Sequence, residues 1–239
     1  MKTLHLIDLT PLPIFEQLQI EEALLRADGK NYCIINRGSP RAIVMGISGI
    51  PSSLIDVNRA EQDSIPIIQR YSGGGTIIVD ENTLFITLIF TKSDIDIHPF
   101  PEPIMRWTSQ LYQNAWNIEG FGLKGNDYVI DDFKCGGNAQ YIRKDRWLHH
   151  TSFLWDYTNE NMDYLLLPEK QPGYRRSRPH ADFLCRLKKY APTLETLIDG
   201  LKKELVKRFD IRIVAWEDLT AIRQQEHRKA TRWIDSSNH

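Results

Sequence analysis

Residues 65–79 read Ile65-Pro66-Ile67-Ile68-Gln69-Arg70-Tyr71-Ser72-Gly73-Gly74-Gly75-Thr76-Ile77-Ile78-Val79. Two β-rich runs, Ile65–Arg70 and Thr76–Val79, flank three consecutive glycines. Such a run opens backbone geometry closed to other residues and lets a ligand lie against the main chain. Amides exposed there can form an anion-binding concavity, and Arg70 and Ser72 add donors for a phosphate or carboxylate. No Gly-Lys-Ser/Thr follows, so the stretch is not a P-loop. The plain alternative is a flexible hairpin turn.

Upstream, Leu4–Leu9 reads as a strand. A helix over about Pro13–Ala27 places Ile14, Leu18 and Leu25 on one face. Asn31–Asn36 and Ala42–Ile47 read as a strand pair joined by an Arg-Gly-Ser-Pro turn, and Asp56–Asp63 as a short helix. Downstream, Leu84–Phe90 is a central-strand candidate and Pro103–Trp116 a helix. Tyr128–Asp132 and Gln140–Arg143 read as hairpin strands, and His149–Tyr157 as another strand. Leu194–Phe209 is the clearest helix, with Thr193 placed to cap it. A strand over Ile211–Trp216 and a charged helix from Asp218 complete the chain. Strands in the middle and helices around them, without βαβα alternation, predict an α+β domain with a mixed sheet flanked by helices.

Composition narrows the class. At 239 residues, with 41% hydrophobic and 26% charged, the chain is expected to be one folded domain, 1–239, with no disordered tract. Its longest apolar runs fall far short of the ~20 residues of a membrane span. Asp8 and Pro11 interrupt the region where a signal peptide would be apolar, so an intracellular, cytoplasmic location is expected, with no transit peptide and no membrane partner. Cys33, Cys135 and Cys185 are too scattered for a disulfide framework. The net charge of −1 offers nucleic acid no attraction. It conceals an asymmetry: residues 1–169 hold 14 basic and 22 acidic side chains, whereas 170–239 hold 16 and 9. That basic C-terminal segment is a nucleic-acid surface, a dock for an acidic protein or a solvated helical face.

A second cluster lies beyond the glycines. Gly125-Asn126-Asp127 precedes one strand, and Phe133-Lys134-Cys135-Gly136-Gly137-Asn138-Ala139-Gln140 comes next. Beside a paired-glycine turn, Lys134 could bridge two anionic groups as a point charge, or be a solvated hairpin lysine. Asp127 suits Mg²⁺ held jointly with phosphate oxygens. Cys135 is a nucleophile only if a neighbour lowers its pKa, and otherwise a small buried hydrophobe. His149 and His150 point to opposite faces of a strand, so at most one lines a given pocket. Tyr174-Arg175-Arg176-Ser177-Arg178-Pro179-His180 is a dense cationic loop suited to a phosphate, an acidic partner or solvent.

Taken in order, Arg-x-Ser-Gly-Gly-Gly, Asn-Asp, Lys-x-x-Gly-x-Ala and His-His before an apolar strand resemble the lipoate-protein ligase A family. That family belongs to the wider group of biotin/lipoyl ligases and lipoyl/octanoyl transferases. The resemblance covers about residues 12–190, and Tyr174–Leu184 also resembles the corresponding later stretch of some short members. It implies a two-step reaction. Lipoate or octanoate and MgATP give acyl-AMP and pyrophosphate, and a lysine of a lipoyl-domain protein then takes the acyl group. It places ATP and the acyl-adenylate at Arg70, Ser72, Gly73, Gly74, Gly75, Thr76, Ile77, Ile78, Asn126 and Asp127, with Mg²⁺ at Asp127. Lys134 becomes the catalytic cation touching both nucleotide and lipoate, with Gly137, Ala139 and His149 beside the acyl group. The implied acceptors are 2-oxoacid dehydrogenase E2 subunits and the glycine cleavage H protein.

Three features depart from the family's pattern. Val79 precedes Asp80 where a His-Asp pair is usual, and Ile47-Ser48-Gly49-Ile50 comes after Gly46 in place of an Arg/Asn-Gln pattern. The third is length: the catalytic domain is expected without the C-terminal accessory domain of many ligases, so an accessory subunit could be needed. Two alternatives remain. One is an ATP-independent octanoyl or lipoyl transferase using a cysteine thioester at Cys135 or Cys185. The other is a degenerate, non-catalytic lipoyl-domain-binding homologue. No Gly-Arg-Gly-Arg segment of the biotin ligases is present.

Overall fold

The computed structural model describes residues 1–167 and 171–234. Residue 170 and residues 235–239 of the basic C-terminal segment thus lie outside the described residues. The strands are β1 (Lys2–Leu9), β2 (Tyr32–Arg37), β3 (Ala42–Met45), β4 (Ile67–Gln69), β5 (Ile77–Val79), β6 (Thr83–Thr91), β7 (Phe121–Lys124), β8 (Asp127–Ile130), β9 (Phe133–Ile142), β10 (Arg146–Leu154), β11 (Phe209–Ile213) and β12 (Arg232–Ile234). The helices are α1 (Ile14–Ala27), α2 (Pro51–Leu54), α3 (Val57–Gln62), α4 (Pro101–Trp116), α5 (Asn159–Met162), α6 (His180–Phe183), α7 (Leu194–Arg208) and α8 (Trp216–Gln224).

β6 organises the molecule. Its sequence is β-branched or aromatic at most positions, and all but its last residue are buried. Leu84, Ile86, Leu88 and Phe90 enter one core, while Phe85 and Ile89 enter another. Burial on both faces explains why this strand reads as a continuous apolar run rather than an alternation. The main sheet has the order β11-β1-β2-β6-β10-β9-β8-β7, parallel where β1 meets β11 and β2 and antiparallel elsewhere. α4 and α7 cover one face through Leu111, Tyr112, Leu197 and Leu201, which pack with Tyr128 and Phe153. On the other face α1 inserts Leu18 and Leu24 among Ile34 and Phe85 of the main sheet and Val44 and Ile68 of a second, four-stranded sheet. That smaller sheet runs β12-β4-β3-β5. The α+β class with a mixed sheet flanked by helices is therefore observed.

Three local expectations are corrected. β2 and β3 do not form a hairpin; they belong to different sheets. β4 and β5 are not a hairpin either, because both pair with β3, β4 parallel and β5 antiparallel. The glycine run is consequently a crossing loop held from both ends. Finally, Gly136 and Gly137 are not a turn but lie within β9. A Cβ on Gly136 would stand 2.5 Å from Phe153 Cδ1, so that glycine makes room for a core ring. The reversal falls earlier, at residues 131–132 between β8 and β9.

Candidate active site

The glycine loop, α1, β9 and the segment after α5 enclose a cavity of about 1110 Å³. One part of its wall is apolar, with Ile14, Leu18, Val44, Phe85, Leu154 and Met162. The rest of the wall mixes polar and apolar groups and carries most of the residues singled out from sequence. Arg70, Gly73, Gly74, Gly75, Thr76, Ile77, Ile78, Asn126, Asp127, Lys134, Gly137 and Ala139 all line it.

Two expected residues do not. Ser72 is fully buried, and its hydroxyl lies 3.0 Å from His150 Nε2 and accepts from Arg70 Nε at 3.1 Å. His149 is also fully buried, and its position beside the acyl group is corrected. Strand alternation turns its ring to the face covered by α4, where Nε2 lies 2.8 Å from the Tyr128 hydroxyl and 3.2 Å from that of Thr151. Its neighbour His150 takes the cavity side. Burial, together with the charge of His150, pushes the His149 pKa down to about 3.

Arg70 also departs from its expected part. Only 4% exposed, it donates through Nη2 to the carbonyls of Gly73 at 2.7 Å and Gly75 at 2.8 Å. Its Nη1 reaches the Val44 carbonyl. Gly74 fits the same arrangement: its φ is +97°, and a Cβ there would meet Arg70 Nη2 at 2.8 Å and Ala139 Cβ at 3.2 Å. The arginine therefore shapes the loop from beneath, and burial lowers its pKa to about 10. The chain of contacts continues through Ser72 and His150 to Glu21 on α1, whose Oε2 is 2.8 Å from His150 Nδ1. Thr87 and Gln17 donate to Glu21 Oε1 at 2.6 and 2.8 Å. Burial raises the Glu21 carboxyl, but the His150 ring and these hydrogen bonds outweigh it and hold the pKa below its ordinary value.

At the polar end the loop meets β9, where Asn138 Nδ2 donates to the Asn126 carbonyl at 2.7 Å. Asp127 then uses both oxygens. Oδ1 is 2.7 Å from Lys134 Nζ, and Oδ2 accepts from the Tyr174 hydroxyl at 2.8 Å. Within the cationic loop the arginines divide their work. Arg178 braces the loop, donating to the carbonyls of Asp132, Tyr174 and Arg175 at 2.8, 3.1 and 3.0 Å. Arg175 lines the cavity, and its buried Nη2 has no partner among the described residues; nor has His180 Nε2. Burial, with Arg175 and Lys134 close by, pushes the His180 pKa down to about 4. The ammonium groups of Lys134 and Lys124 thus stand on the cavity wall, with a buried guanidinium donor of Arg175 and a neutral His180 imidazole behind it.

A single carboxylate such as Asp127 suits magnesium only jointly with phosphate oxygens. Asp127 meets Lys134 with one oxygen and Tyr174 with the other, and no group of three His, Cys, Asp or Glu suited to a metal occurs among the described residues. In this arrangement Asp127 stands as the partner of Lys134. None of the three cysteines lines the cavity; all are buried. Among the described residues no helix is long and apolar enough to cross a membrane.

The cavity thus sets an apolar slot beside the half-buried ammonium of Lys134 and the glycine-rich loop. Residues 13–210 match the lipoyl protein ligase A/B catalytic domain, and the chain belongs to that family. It is 29% identical over 245 residues to inactive lipoate–protein ligase 2 of Plasmodium falciparum, covering 77% of this chain and 63% of that relative. The chain spans less than two thirds of the length of the first curated relatives it matches. In fold it resembles the bi-partite lipoate protein ligase of Thermoplasma acidophilum, a system solved with its E2 lipoyl domain, at a TM-score of 0.75 and 16% identity, covering 94% of this chain and 91% of that one. A lipoate-protein ligase A bound with ATP matches at a TM-score of 0.75 and 15% identity over 94% and 93% of the two chains.

The departures noted in the sequence have places in the fold. Val79 is buried in the core between the sheets, and Ile47 and Ile50 are exposed at 45% and 61%.

Proposed function

We propose that this protein is a lipoate-protein ligase that uses ATP to activate lipoate or octanoate and transfers the acyl group to a lysine of a lipoyl-domain protein. The observation that carries the reading is Lys134, held by Asp127 at 2.7 Å where the glycine loop, the apolar wall and the Arg175 segment converge. The apolar wall takes the acyl chain. Attack of its carboxylate on the α-phosphorus brings two anions together, and pyrophosphate leaves as the P–O bond breaks. A fixed ammonium between them offsets their repulsion and stabilises the charge that develops. Arg175, with its unsatisfied donor, serves the phosphates, while Arg70 keeps the loop amides in place. Enclosure of the acyl-adenylate guards it from hydrolysis. The acceptor lysine, as the free amine, then attacks the acyl carbon and AMP departs.

Lipoyl domains of E2 subunits and H protein are the proposed acceptors, in keeping with the Thermoplasma system and its E2 lipoyl domain. ATP–pyrophosphate exchange with lipoate, octanoate and biotin in parallel tests the first step, and acylation of an apo-lipoyl domain the second. Exchange with lipoate or octanoate but not biotin is expected; absence of exchange with all three overturns the reading. The name of the Plasmodium relative favours one second reading, binding without turnover. Calorimetric binding of lipoyl-AMP in a protein that fails both assays would establish it.

A further inference from the structure

Behind the cavity wall the fold brings two thiols side by side. Lys134 and Leu184 form a parallel β-bridge, closed by the Cys185 N–H donating to the Lys134 carbonyl at 2.9 Å. Successive side chains along extended backbone alternate between faces, and matched positions on parallel neighbours point the same way. Lys134 and Leu184 accordingly both line the cavity. Cys135 and Cys185, one step further on, both enter the core under α4 and α7. There both lie in one cluster of buried side chains, and the Cys185 thiol donates to the Phe133 carbonyl at 3.6 Å. Adjacent strands run ~4.8 Å apart, inside the roughly 4.4–6.8 Å between Cα atoms that a disulfide spans.

We propose that Cys135 and Cys185 are a redox-active pair that closes to a reversible disulfide, stapling the end of the Gln171–Leu184 cavity segment to β9 beside Lys134. Cys185 reacts first. It is 9% exposed where Cys135 is 0%, and the neighbouring Cys135 thiol lowers its pKa while burial holds that of Cys135 up. Its thiolate attacks one sulfur of a small-molecule disulfide such as oxidised glutathione, and one glutathione thiolate leaves. Cys135 then loses its proton, attacks the Cys185 sulfur and expels the second glutathione. Two protein thiols are oxidised by two electrons, and one disulfide is reduced to two thiols. The bond would tie together the two segments that hold Lys134, since Tyr174 of the same cavity segment grips Asp127. Formation of the bond is independent of the ligase reading; any effect on adenylation rests on it.

The test equilibrates the full chain in glutathione buffers of increasing oxidation, quenches with acid, blocks free thiols with N-ethylmaleimide and maps the digest by mass spectrometry. The expected result is paired loss of two maleimide adducts, a peptide linking Cys135 to Cys185, retention of the Cys33 adduct and full reversal by reductant. In Cys135→Ser, Cys185 should instead accumulate a stable glutathione adduct. Three alkylated cysteines at every poise, or glutathione adducts in the wild type with no 135–185 link, overturn the proposal. So does a link that forms equally well in concentrated guanidinium. Pyrophosphate exchange on the same samples separates the two ideas: exchange without a link refutes the staple alone, and a link without exchange refutes the ligase alone.

Discussion

The ammonium of Lys134 is shared, because a substrate anion must compete with Asp127, which already holds it at 2.7 Å. Removing it leaves that carboxylate unpaired and the phosphate and carboxylate of the substrates unshielded. Lys134→Ala should therefore lower pyrophosphate exchange on the order of 10²–10³-fold and also lower the melting temperature, since the buried Asp127 carboxylate loses its cation; undiminished exchange would remove Lys134 from the mechanism. Much of this polar end was legible in the sequence, because lysine, Asn-Asp and glycine beside one another are costly unless used. His150 was not. Alternation said that one of the two histidines faces a pocket, yet only the packing of α4 against one face and α1 against the other sets the phase. Glu21 was hidden for a related reason, since a carboxylate on an apolar helix face gains a partner only when β10 arrives. The phase has a measurable consequence at His149. With its pKa near 3 in the fold and about 6.5 when unfolded, the unfolded chain binds a proton between those limits and the native chain does not. Stability from this group is thus present above about pH 6.5 and lost as pH falls, by about 2 kcal/mol near pH 5. Denaturant midpoints of His149→Gln should fall less steeply than wild type over that interval; identical slopes would place the titration elsewhere.

Among the elements, α1 shows how a buried acid can serve architecture rather than chemistry. Glu22, 1% exposed, accepts from the Ala230 N–H with both oxygens at 3.0 Å, from the Thr231 N–H at 3.1 Å and from Arg26 at 3.0 Å. This clamp delivers β12 to the edge of the small sheet, where Trp233 stacks on Phe15 with ring centroids 4.2 Å apart. Hydrogen bonds to charged groups contribute about 1.5–3 kcal/mol each at most, and the backbone amides left behind would be unsatisfied. Glu22→Ala should cost on the order of 2–3 kcal/mol and open the segment around residues 225–234 to limited proteolysis. Unchanged stability and cleavage would show that β12 is held by its sheet pairing alone. Local signals served well where an element is self-sufficient: the periodic stripe and the Thr193 cap of α7 are both present, the latter accepting from the Thr196 N–H at 3.1 Å. They failed at pairing. Residues Arg37–Arg41 look like a hairpin turn, but Ile34 and Val44 enter the core around α1 from two different sheets, and the core decides which sheet each strand joins.

Across the whole molecule the charge asymmetry resolves into two kinds of cation. Some of those after residue 170 brace the fold through ion pairs, two of them from exposed lysines: Arg186 and Lys188 pair with Asp156, Lys202 with Asp8, and Lys207 and Arg208 with Glu204. Composition cannot separate a brace from a surface, which is why the basic segment looked uniformly available. Others face outward, and three of them cluster. Arg228, Lys229 and Arg232 line a shallow cleft with Ile47 and Gln69, beside the exposed Ile50 and the half-exposed Trp233. Gln69 links this cleft to the glycine loop, because its side chain donates to the Ile47 carbonyl at 3.0 Å and Ile47 donates its N–H to the Ser72 carbonyl at 2.9 Å. An acidic acceptor domain approaching the loop would meet this face, and attraction between exposed charges is screened by salt over about 8–10 Å at ordinary ionic strength. Such pairs act mainly on the encounter rate. Acyl transfer to a lipoyl domain should therefore slow as salt is raised, while pyrophosphate exchange, which needs no acceptor, stays level. Arg228→Glu with Lys229→Glu should reproduce the high-salt transfer rate and remove the salt dependence. Transfer that is indifferent to salt, or a double variant that still responds to it fully, would move the acceptor to another face of the protein.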